Sequence, residues 1–250
     1  MVLNTSEAGE GRPVVLLHGL FGQGRNFGAL SRRLAARCRV IVVDMPNHGT
    51  SPHSPRMDYR SMAGDVAETL AARGVSGADV MGHSMGGKAA MMLALTAPVL
   101  VGRLVVSDIA PVTYPPRYGP LLEAMRAVPP GASRAAADAA LADAEPDPAT
   151  RAFILSNRRP DGSGWRIGID GIAASMGAIL DWAPPAGARF EGPALFVSGE
   201  RSGYVREENR PAIRDLFPAA RFLTVKGAGH WVHADQPEAF AAVLEGFFRI

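Results

Sequence analysis

The sequence predicts an α/β protein in which a mostly parallel central sheet is flanked by helices on both faces. Short apolar runs rich in β-branched residues alternate along the chain with longer segments that repeat apolar residues at helical spacing. The apolar runs contain few polar positions, as expected for strands that are buried on both faces. The chain has 250 residues, of which 47% are hydrophobic and 20% charged, a composition typical of a globular domain with a large core.

The individual elements follow from this alternation. Six strands are predicted, at residues 14–17, 40–43, 78–81, 104–106, 194–197 and 221–225. Five helices are predicted, at residues 27–37, 58–73, 85–97, 207–216 and 237–248. The second helix has the clearest signals, because Asp58 can cap its start and Gly74 can end it. Its apolar residues Met62, Val66 and Leu70 recur at intervals of four, which places them on one face.

The regular alternation stops in one long segment, residues 112–187, which is rich in Ala, Pro and Arg. Several short helices are predicted there, and the strand pattern then resumes. We expect this insertion to form a helical lid over one end of the sheet, and residues 1–111 and 188–250 to form the core domain. Its aromatic residues and methionines either contact a ligand or build a small core of their own: Tyr114, Tyr118, Met125, Phe153, Trp165, Met176 and Trp182.

Charge and cysteine content exclude several kinds of partner and location. The net charge is +2, and short basic clusters such as Arg158-Arg159 lack interleaved aromatic residues, so no nucleic-acid partner is expected. The single cysteine, Cys38, allows no internal disulfide and favours a reducing compartment. The apolar runs are too short to span a bilayer and residues 6–10 show no signal-peptide pattern, which predicts a cytoplasmic protein without a membrane span.

A nucleophile is predicted at Ser84. The third predicted strand is followed by Gly-His-Ser-Met-Gly at residues 82–86, which matches G-x-S-x-G, and by a helical run. Glycines two places either side of Ser84 allow the sharp turn that exposes its hydroxyl. The next amide, that of Met85, would lie at a helix N-terminus and face a developing oxyanion. A second oxyanion donor is expected from His-Gly-Leu-Phe-Gly at residues 18–22, with the amide of Leu20, or alternatively Phe21.

Two glycine patterns that suggest nucleotide binding fail at a defining position. Gly82, Gly87 and Lys88 fit G-x-x-x-x-G-K, but Ala89 lacks the hydroxyl that would bind Mg²⁺. Lys88 is therefore interpreted as a polar residue near the start of the helix. The glycines after the first strand are spaced one residue too widely for the dinucleotide fingerprint, so no such cofactor is expected.

The general base is predicted at His230, which lies in Gly-Ala-Gly-His-Trp directly after the last predicted strand. Histidine titrates near neutrality, so it can take the Ser84 proton and return it to a leaving group. The acid that orients His230 is predicted at Asp108, because Asp108 directly follows the fourth strand, at the carboxyl-terminal edge of the sheet where a neighbouring loop can reach the imidazole. Glu200 and Asp170 remain alternatives for this role.

These motifs resemble the α/β-hydrolase superfamily over almost the whole chain. Within it, the motifs at residues 18–22, 47–52, 82–88, 108–112 and 229–234 are similar to the small YbfF-type esterase branch. This resemblance implies that the acid and the lid follow the sixth strand, which places the acid at Asp108. Two positions depart from related sequences: Pro46 stands where the branch usually has arginine, and Ser202 stands where most relatives have aspartate in a G-x-x-D pattern.

The resemblance implies a carboxylesterase or acyl thioesterase that needs no cofactor and no metal and acts on a small ester with an apolar acyl group. Dehalogenases and epoxide hydrolases use an aspartate as nucleophile, so Ser84 argues against both. Carbon–carbon bond hydrolases and perhydrolases keep the serine and remain alternatives. A catalytically silent binding module is the alternative outside enzymes.

Overall fold

The computed structural model describes residues 1–250 and contains one seven-stranded sheet. The strands are β1 (Thr5–Ala8), β2 (Pro13–Leu17), β3 (Arg39–Val43), β4 (Ala78–His83), β5 (Val101–Ser107), β6 (Ala194–Gly199) and β7 (Ala220–Val225). Their order across the sheet is β1-β3-β2-β4-β5-β6-β7, and only β1 is antiparallel to its neighbour. The predicted fold class is confirmed, and each predicted strand lies within an observed one.

Helices cover both faces of this sheet. The α-helices are α1 (Gly28–Leu34), α2 (Tyr59–Ala72), α3 (Met85–Thr96), α4 (Gly119–Ala127), α5 (Arg134–Leu141), α6 (Pro148–Leu155), α7 (Ile169–Ala174), α8 (Met176–Leu180), α9 (Arg210–Leu216), α10 (Val232–Asp235) and α11 (Pro237–Phe248). Short 3₁₀ helices lie at Gly24–Phe27, Pro98–Leu100 and Glu207–Asn209. None of the helices combines the length and the apolar character that crossing a bilayer would require.

The strands are buried on both sides. In β2, Val15 and Leu17 belong to a core of 46 buried residues, whereas Val14 and Leu16 belong to a second core of 17 on the opposite face. Because neighbouring residues of a strand point to opposite faces, helices must cover both. The signals of α2 are confirmed: the Asp58 carboxylate accepts a hydrogen bond from the Ser61 amide at 2.8 Å.

Two details differ from the sequence prediction. The strand β1 was not predicted, because its sequence Thr-Ser-Glu-Ala is polar and it pairs with β3 alone at the edge of the sheet. The insertion at residues 112–187 follows the fifth strand in chain order and not the sixth, since β1 is the single strand that precedes those found from the sequence.

The insertion contains α4 to α8 and contributes no strand to the sheet. Lys88 of α3 is one of its attachments to the core. Its side chain is 1% exposed and its ammonium group donates hydrogen bonds to the carbonyl oxygens of Leu180, at 3.2 Å, and Asp181, at 2.9 Å. Lys88 does lie near the start of the helix, as expected, and the structure adds that it is buried beneath the insertion. Burial lowers its pKa to about 7.

Candidate active site

Ser84 lies in the sharp turn between β4 and α3. Its backbone is in the left-handed region, with φ of 53°, a conformation that is strained for any residue with a side chain. The flanking glycines make the turn possible, because a Cβ on Gly82 would collide with the Gly86 carbonyl and one on Gly86 with the Leu17 carbonyl. This packing holds the Ser84 side chain at the carboxyl end of the sheet, where the loops of the parallel strands converge.

Three of the predicted site residues form a continuous line of hydrogen bonds. The Ser84 hydroxyl lies 3.1 Å from His230 Nε2, and His230 Nδ1 lies 2.7 Å from Asp108 Oδ2. The imidazole ring is held with one nitrogen toward the serine and the other toward the carboxylate. With Nδ1 donating to Asp108, Nε2 is left with the lone pair that can accept the serine proton.

Asp108 is the carboxylate that contacts His230. It is fully buried, and its other oxygen accepts a hydrogen bond from the Gly199 amide at 3.1 Å. The two alternatives lie elsewhere. Glu200 is exposed and accepts a hydrogen bond from the Gly227 amide, while Asp170 pairs with an arginine on the surface of the insertion.

The loop at residues 18–22 approaches Ser84 closely. A Cβ on Gly19 would lie 3.1 Å from Ser84 Cβ and 2.9 Å from His83 Nδ1, so glycine allows this backbone to approach the start of α3 closely. The Phe21 amide is engaged, because it donates a hydrogen bond to His48 Nε2 at 3.1 Å. The Leu20 amide has no acceptor within the protein. Met85 is the first residue of α3, and its amide has no acceptor within that helix.

Two buried histidines fix this loop. His18 Nε2 accepts a hydrogen bond from the Met45 amide at 3.0 Å, and His48 binds the Phe21 amide from the other side. Burial lowers the pKa of both rings, that of His48 to about 3. Both imidazoles are therefore neutral near pH 7, which is the form that can accept a hydrogen bond from an amide.

Further side chains that were not predicted as site residues pack around His230. The Tyr204 ring stacks on the imidazole with 4.1 Å between ring centroids and 20° between planes. The Ser202 hydroxyl donates a hydrogen bond to Asp108 Oδ2. Ser202 had a sequence signal, since it occupies the position where most relatives have the acid, whereas Tyr204 lies in no motif. His83 Nε2 lies 2.9 Å from the His230 carbonyl oxygen and braces the same loop.

A cavity of about 210 Å³ opens above Ser84 and His230. The insertion contributes an apolar wall to it, formed by Tyr118, Leu121, Phe153 and Ile154, and also the polar side chains of Arg117, Glu145 and Thr150. A smaller cavity of about 30 Å³ lies on the other side of Ser84, against Tyr114 and Lys88.

The aromatic residues and methionines of the insertion thus divide between the two expected roles. Tyr114, Tyr118 and Phe153 line the cavities next to Ser84. Met125 is fully buried, and its carbonyl accepts a hydrogen bond from the Trp165 ring at 3.0 Å. These two residues belong to the packing of the insertion itself.

Comparisons with known proteins identify the family of this chain. The profile of the alpha/beta hydrolase family matches residues 14–243. The chain is 40% identical over 246 residues to the sn-1-specific diacylglycerol lipase ABHD11 of Mus musculus, covering 94% of this chain and 80% of that protein. It is 40% identical over 241 residues to the esterase YbfF of Escherichia coli K12, covering 95% and 93%.

Solved structures give the same result. A marine microorganism esterase superposes with a TM-score of 0.93 at 34% identity, over 98% of this chain and 99% of that one. The family match extends over nearly all of the core and the whole insertion, and the esterase similarity confirms the resemblance to the YbfF-type branch. The chain belongs to the alpha/beta hydrolase family.

Proposed function

We propose that this enzyme, an ester-cleaving serine hydrolase, works through a triad of Ser84, His230 and Asp108 and a covalent acyl-enzyme intermediate. The observation that supports this most strongly is the unbroken line of hydrogen bonds from Ser84 through His230 to the buried Asp108. The carboxylate holds the imidazole in the tautomer that accepts the serine proton and stabilises the imidazolium that forms.

The reaction begins when Ser84 Oγ attacks the acyl carbon while His230 Nε2 takes the hydroxyl proton. The amides of Leu20 and Met85 donate hydrogen bonds to the oxyanion, each worth roughly 10²–10³-fold in rate in comparable sites. His230 then gives its proton to the departing alcohol or thiol, and the acyl group remains on Ser84. Water, deprotonated by His230, attacks the acyl-enzyme and releases the carboxylic acid and free Ser84.

The substrate class is a carboxylic ester or acyl thioester with an apolar acyl group of modest length. The apolar wall of Tyr118, Leu121, Phe153 and Ile154 favours an apolar acyl group over a charged one. The cavity of about 210 Å³ is smaller than most drug-sized ligand pockets, which favours short chains. The mouse relative is named for diacylglycerol and the bacterial relative for ester cleavage, and both agree with an acyl ester. In this proposal residues 112–187 act as the lid over a core of residues 1–111 and 188–250.

Labelling with a fluorophosphonate probe tests the nucleophile directly. The wild-type chain should be labelled and should hydrolyse p-nitrophenyl acetate and butyrate, whereas Ser84→Ala should do neither while keeping its circular dichroism spectrum and Tm. Undiminished turnover by Ser84→Ala would overturn the assignment. Parallel assays with an acyl-CoA and with a ring-cleavage dienone separate ester and thioester hydrolysis from carbon–carbon bond hydrolysis. A folded wild-type chain that resists the probe would favour a binding module.

A reducing compartment such as the cytoplasm is the proposed location. The single cysteine, Cys38, is buried and its thiol donates to the Leu34 carbonyl at 3.2 Å, so the fold depends on no disulfide. Fractionation of cells that express the chain with its natural ends tests this.

A further inference from the structure

Five arginines converge on a pocket that is separate from the catalytic cavity. The pocket has a volume of about 470 Å³ and lies where the insertion meets the core. One arginine comes from the 3₁₀ helix Gly24–Phe27 of the core, and four come from the insertion. We call this the arginine pocket; its arginines are Arg25, Arg134, Arg158, Arg159 and Arg166.

No arginine of the arginine pocket forms an ion pair with a carboxylate of the protein. Ion pairs to carboxylates are formed by other arginines, such as Arg33 and Arg151, but by none of these five. Two acids of the insertion lie near these arginines and attract them without forming an ion pair. Asp138 pairs with Arg151 and is attracted by Arg134, and Asp161 accepts hydrogen bonds from Ser163 and is attracted by Arg159. Five permanent like charges around one pocket raise its potential and favour the binding of an anion.

The polar atoms of the pocket are arranged for a ligand with several acceptor oxygens. Backbone carbonyls hold four of the guanidinium groups. Arg158 Nη1 donates to Ala132 at 2.6 Å, Arg134 Nη2 to Ala152 at 3.3 Å and Arg159 Nε to Trp165 at 3.3 Å, and Arg25 Nη2 donates to the Ser156 carbonyl. Each guanidinium keeps further N–H donors that these bonds do not use.

Two buried atoms of the lining have no hydrogen-bond partner within the protein, Ser156 Oγ and Arg166 Nε. Leaving such a donor unsatisfied costs about 1–3 kcal/mol, so an acceptor oxygen, from water or from a ligand, is expected beside each of them.

We propose that the arginine pocket binds a phosphate group. Phosphate offers several acceptor oxygens and up to two negative charges, which match the forked donors of arginine better than a single carboxylate does. The pocket and the catalytic cavity are lined by neighbouring residues of the same two segments, since Asn26 and Phe27 follow Arg25 and Ile154 precedes Leu155. The phosphate is therefore either carried on the leaving group of a substrate or bound as a free ion beside it.

Calorimetry with inorganic phosphate, at constant ionic strength set with NaCl, tests the site on the full chain. The variant Arg134→Gln/Arg159→Gln removes two exposed arginines whose own hydrogen bonds are long, so it should keep the wild-type Tm. The matched control is Arg60→Gln/Arg189→Gln, which removes the same charge from exposed arginines outside the pocket. We expect phosphate to bind saturably to the wild type and to the control. Its affinity for the pocket variant should be lower by roughly tenfold or more. Ser156→Ala should also weaken binding.

A pair of esters distinguishes the two sources of phosphate. Monobutyrylglycerol and its glycerol phosphate ester share an acyl group and differ in the phosphate of the leaving group. If the substrate carries the phosphate, the pocket variant should raise KM for the phosphate ester alone. If free phosphate is the ligand, KM should change by the same factor for both esters. Absence of saturable phosphate binding to the wild type, or equal weakening in the control, would overturn the proposal. The binding measurement needs no turnover, so its outcome is independent of the proposed esterase reaction.

Discussion

The Ser202 hydroxyl donates a hydrogen bond to the same Asp108 oxygen that accepts a hydrogen bond from His230 Nδ1. Ser202 occupies the position after β6 where most relatives have the acid, and Asp108 follows β5, the neighbouring strand in the sheet. The loops after β5 and β6 therefore place Asp108 and Ser202 on the same side of His230. The serine supplies a second side-chain donor to a carboxylate that is fully buried, which offsets part of the cost of removing that charge from water.

The role of Asp108 predicts a large loss of turnover on removal of its charge. In Asp108→Asn the amide can donate to His230 Nδ1, which leaves the proton on Nε2 and blocks acceptance of the Ser84 proton. We expect kcat for p-nitrophenyl butyrate to fall roughly 10³–10⁴-fold with little change in KM. Glu200→Gln is the matched control, since that carboxylate lies away from His230 and should leave kcat unchanged. An equal loss in both variants would contradict the assignment.

The position of Ser202 predicts that the acid can be moved from one loop to the other. A carboxylate at residue 202 would reach the space next to His230 Nδ1, because the Ser202 hydroxyl already contacts the atom bonded to it. In the Asp108→Asn background, Ser202→Asp should recover at least about tenfold of the lost kcat, and Ser202→Asn should recover none. The discriminating readout is the pH profile of kcat/KM, which should regain its rise near neutral pH only in the aspartate variant.

Ser84 and His230 could be placed from sequence because each requires a local motif, a glycine-flanked turn directly after a strand. Asp108 could be placed only through the order of the strands. It is 122 residues from His230 in the chain and meets it because β5, β6 and β7 are neighbours in the sheet. Sequence patterns describe neighbours along the chain, whereas a triad acid is defined by neighbours across the sheet.

The features that the sequence did not predict are those in which tertiary packing overrides local character. Lys88 carries a charge in the first turn of a helix, a place that is usually solvated, but the insertion covers it. The polar strand β1 forms because β3 offers an unpaired edge. Tyr204 stacks on His230 from a loop that contains no motif, and no spacing pattern in a sequence predicts that two rings stack.

His48 should affect catalysis through the backbone that it holds. Its Nε2 accepts a hydrogen bond from the Phe21 amide, next to the Leu20 amide that is proposed to bind the oxyanion. His48→Ala should lower kcat roughly tenfold and change KM little, because the oxyanion forms only in the transition state. His53→Ala in the same loop is the control, since His53 is exposed. Because the pKa of His48 is about 3, the loss should be the same across the neutral pH range. A loss that varies with pH would point to a titrating role instead.

The buried Lys88 predicts a pH dependence of stability. Burial lowers its pKa to about 7 from an ordinary value of 10.5, so between these values the unfolded chain holds the proton more tightly than the folded one. Stability should therefore rise as the pH increases from about 7 toward 10.5, and the cost of the buried charge is fully present below 7. Urea unfolding from about pH 6 to about pH 9 should show the wild type gaining up to about 1.4 kcal/mol per pH unit relative to Lys88→Met. Lys226→Met, at an exposed lysine, should keep the wild-type slope.

Phe153 should set the acyl-chain length. Its half-buried ring stands in the apolar wall of the catalytic cavity and packs on Trp231 with 5.2 Å between ring centroids. Phe153→Ala enlarges the cavity on the side that the insertion lines. The preferred p-nitrophenyl ester should therefore shift from butyrate toward octanoate or longer. Because each further buried methylene contributes about 0.8 kcal/mol, kcat/KM for the longer ester should rise several-fold while that for acetate stays the same or falls. Phe247→Ala makes the same change at a half-buried site in α11, outside the cavity, and should leave the chain-length profile as it is. An unchanged profile in Phe153→Ala would mean that the acyl chain lies along another wall.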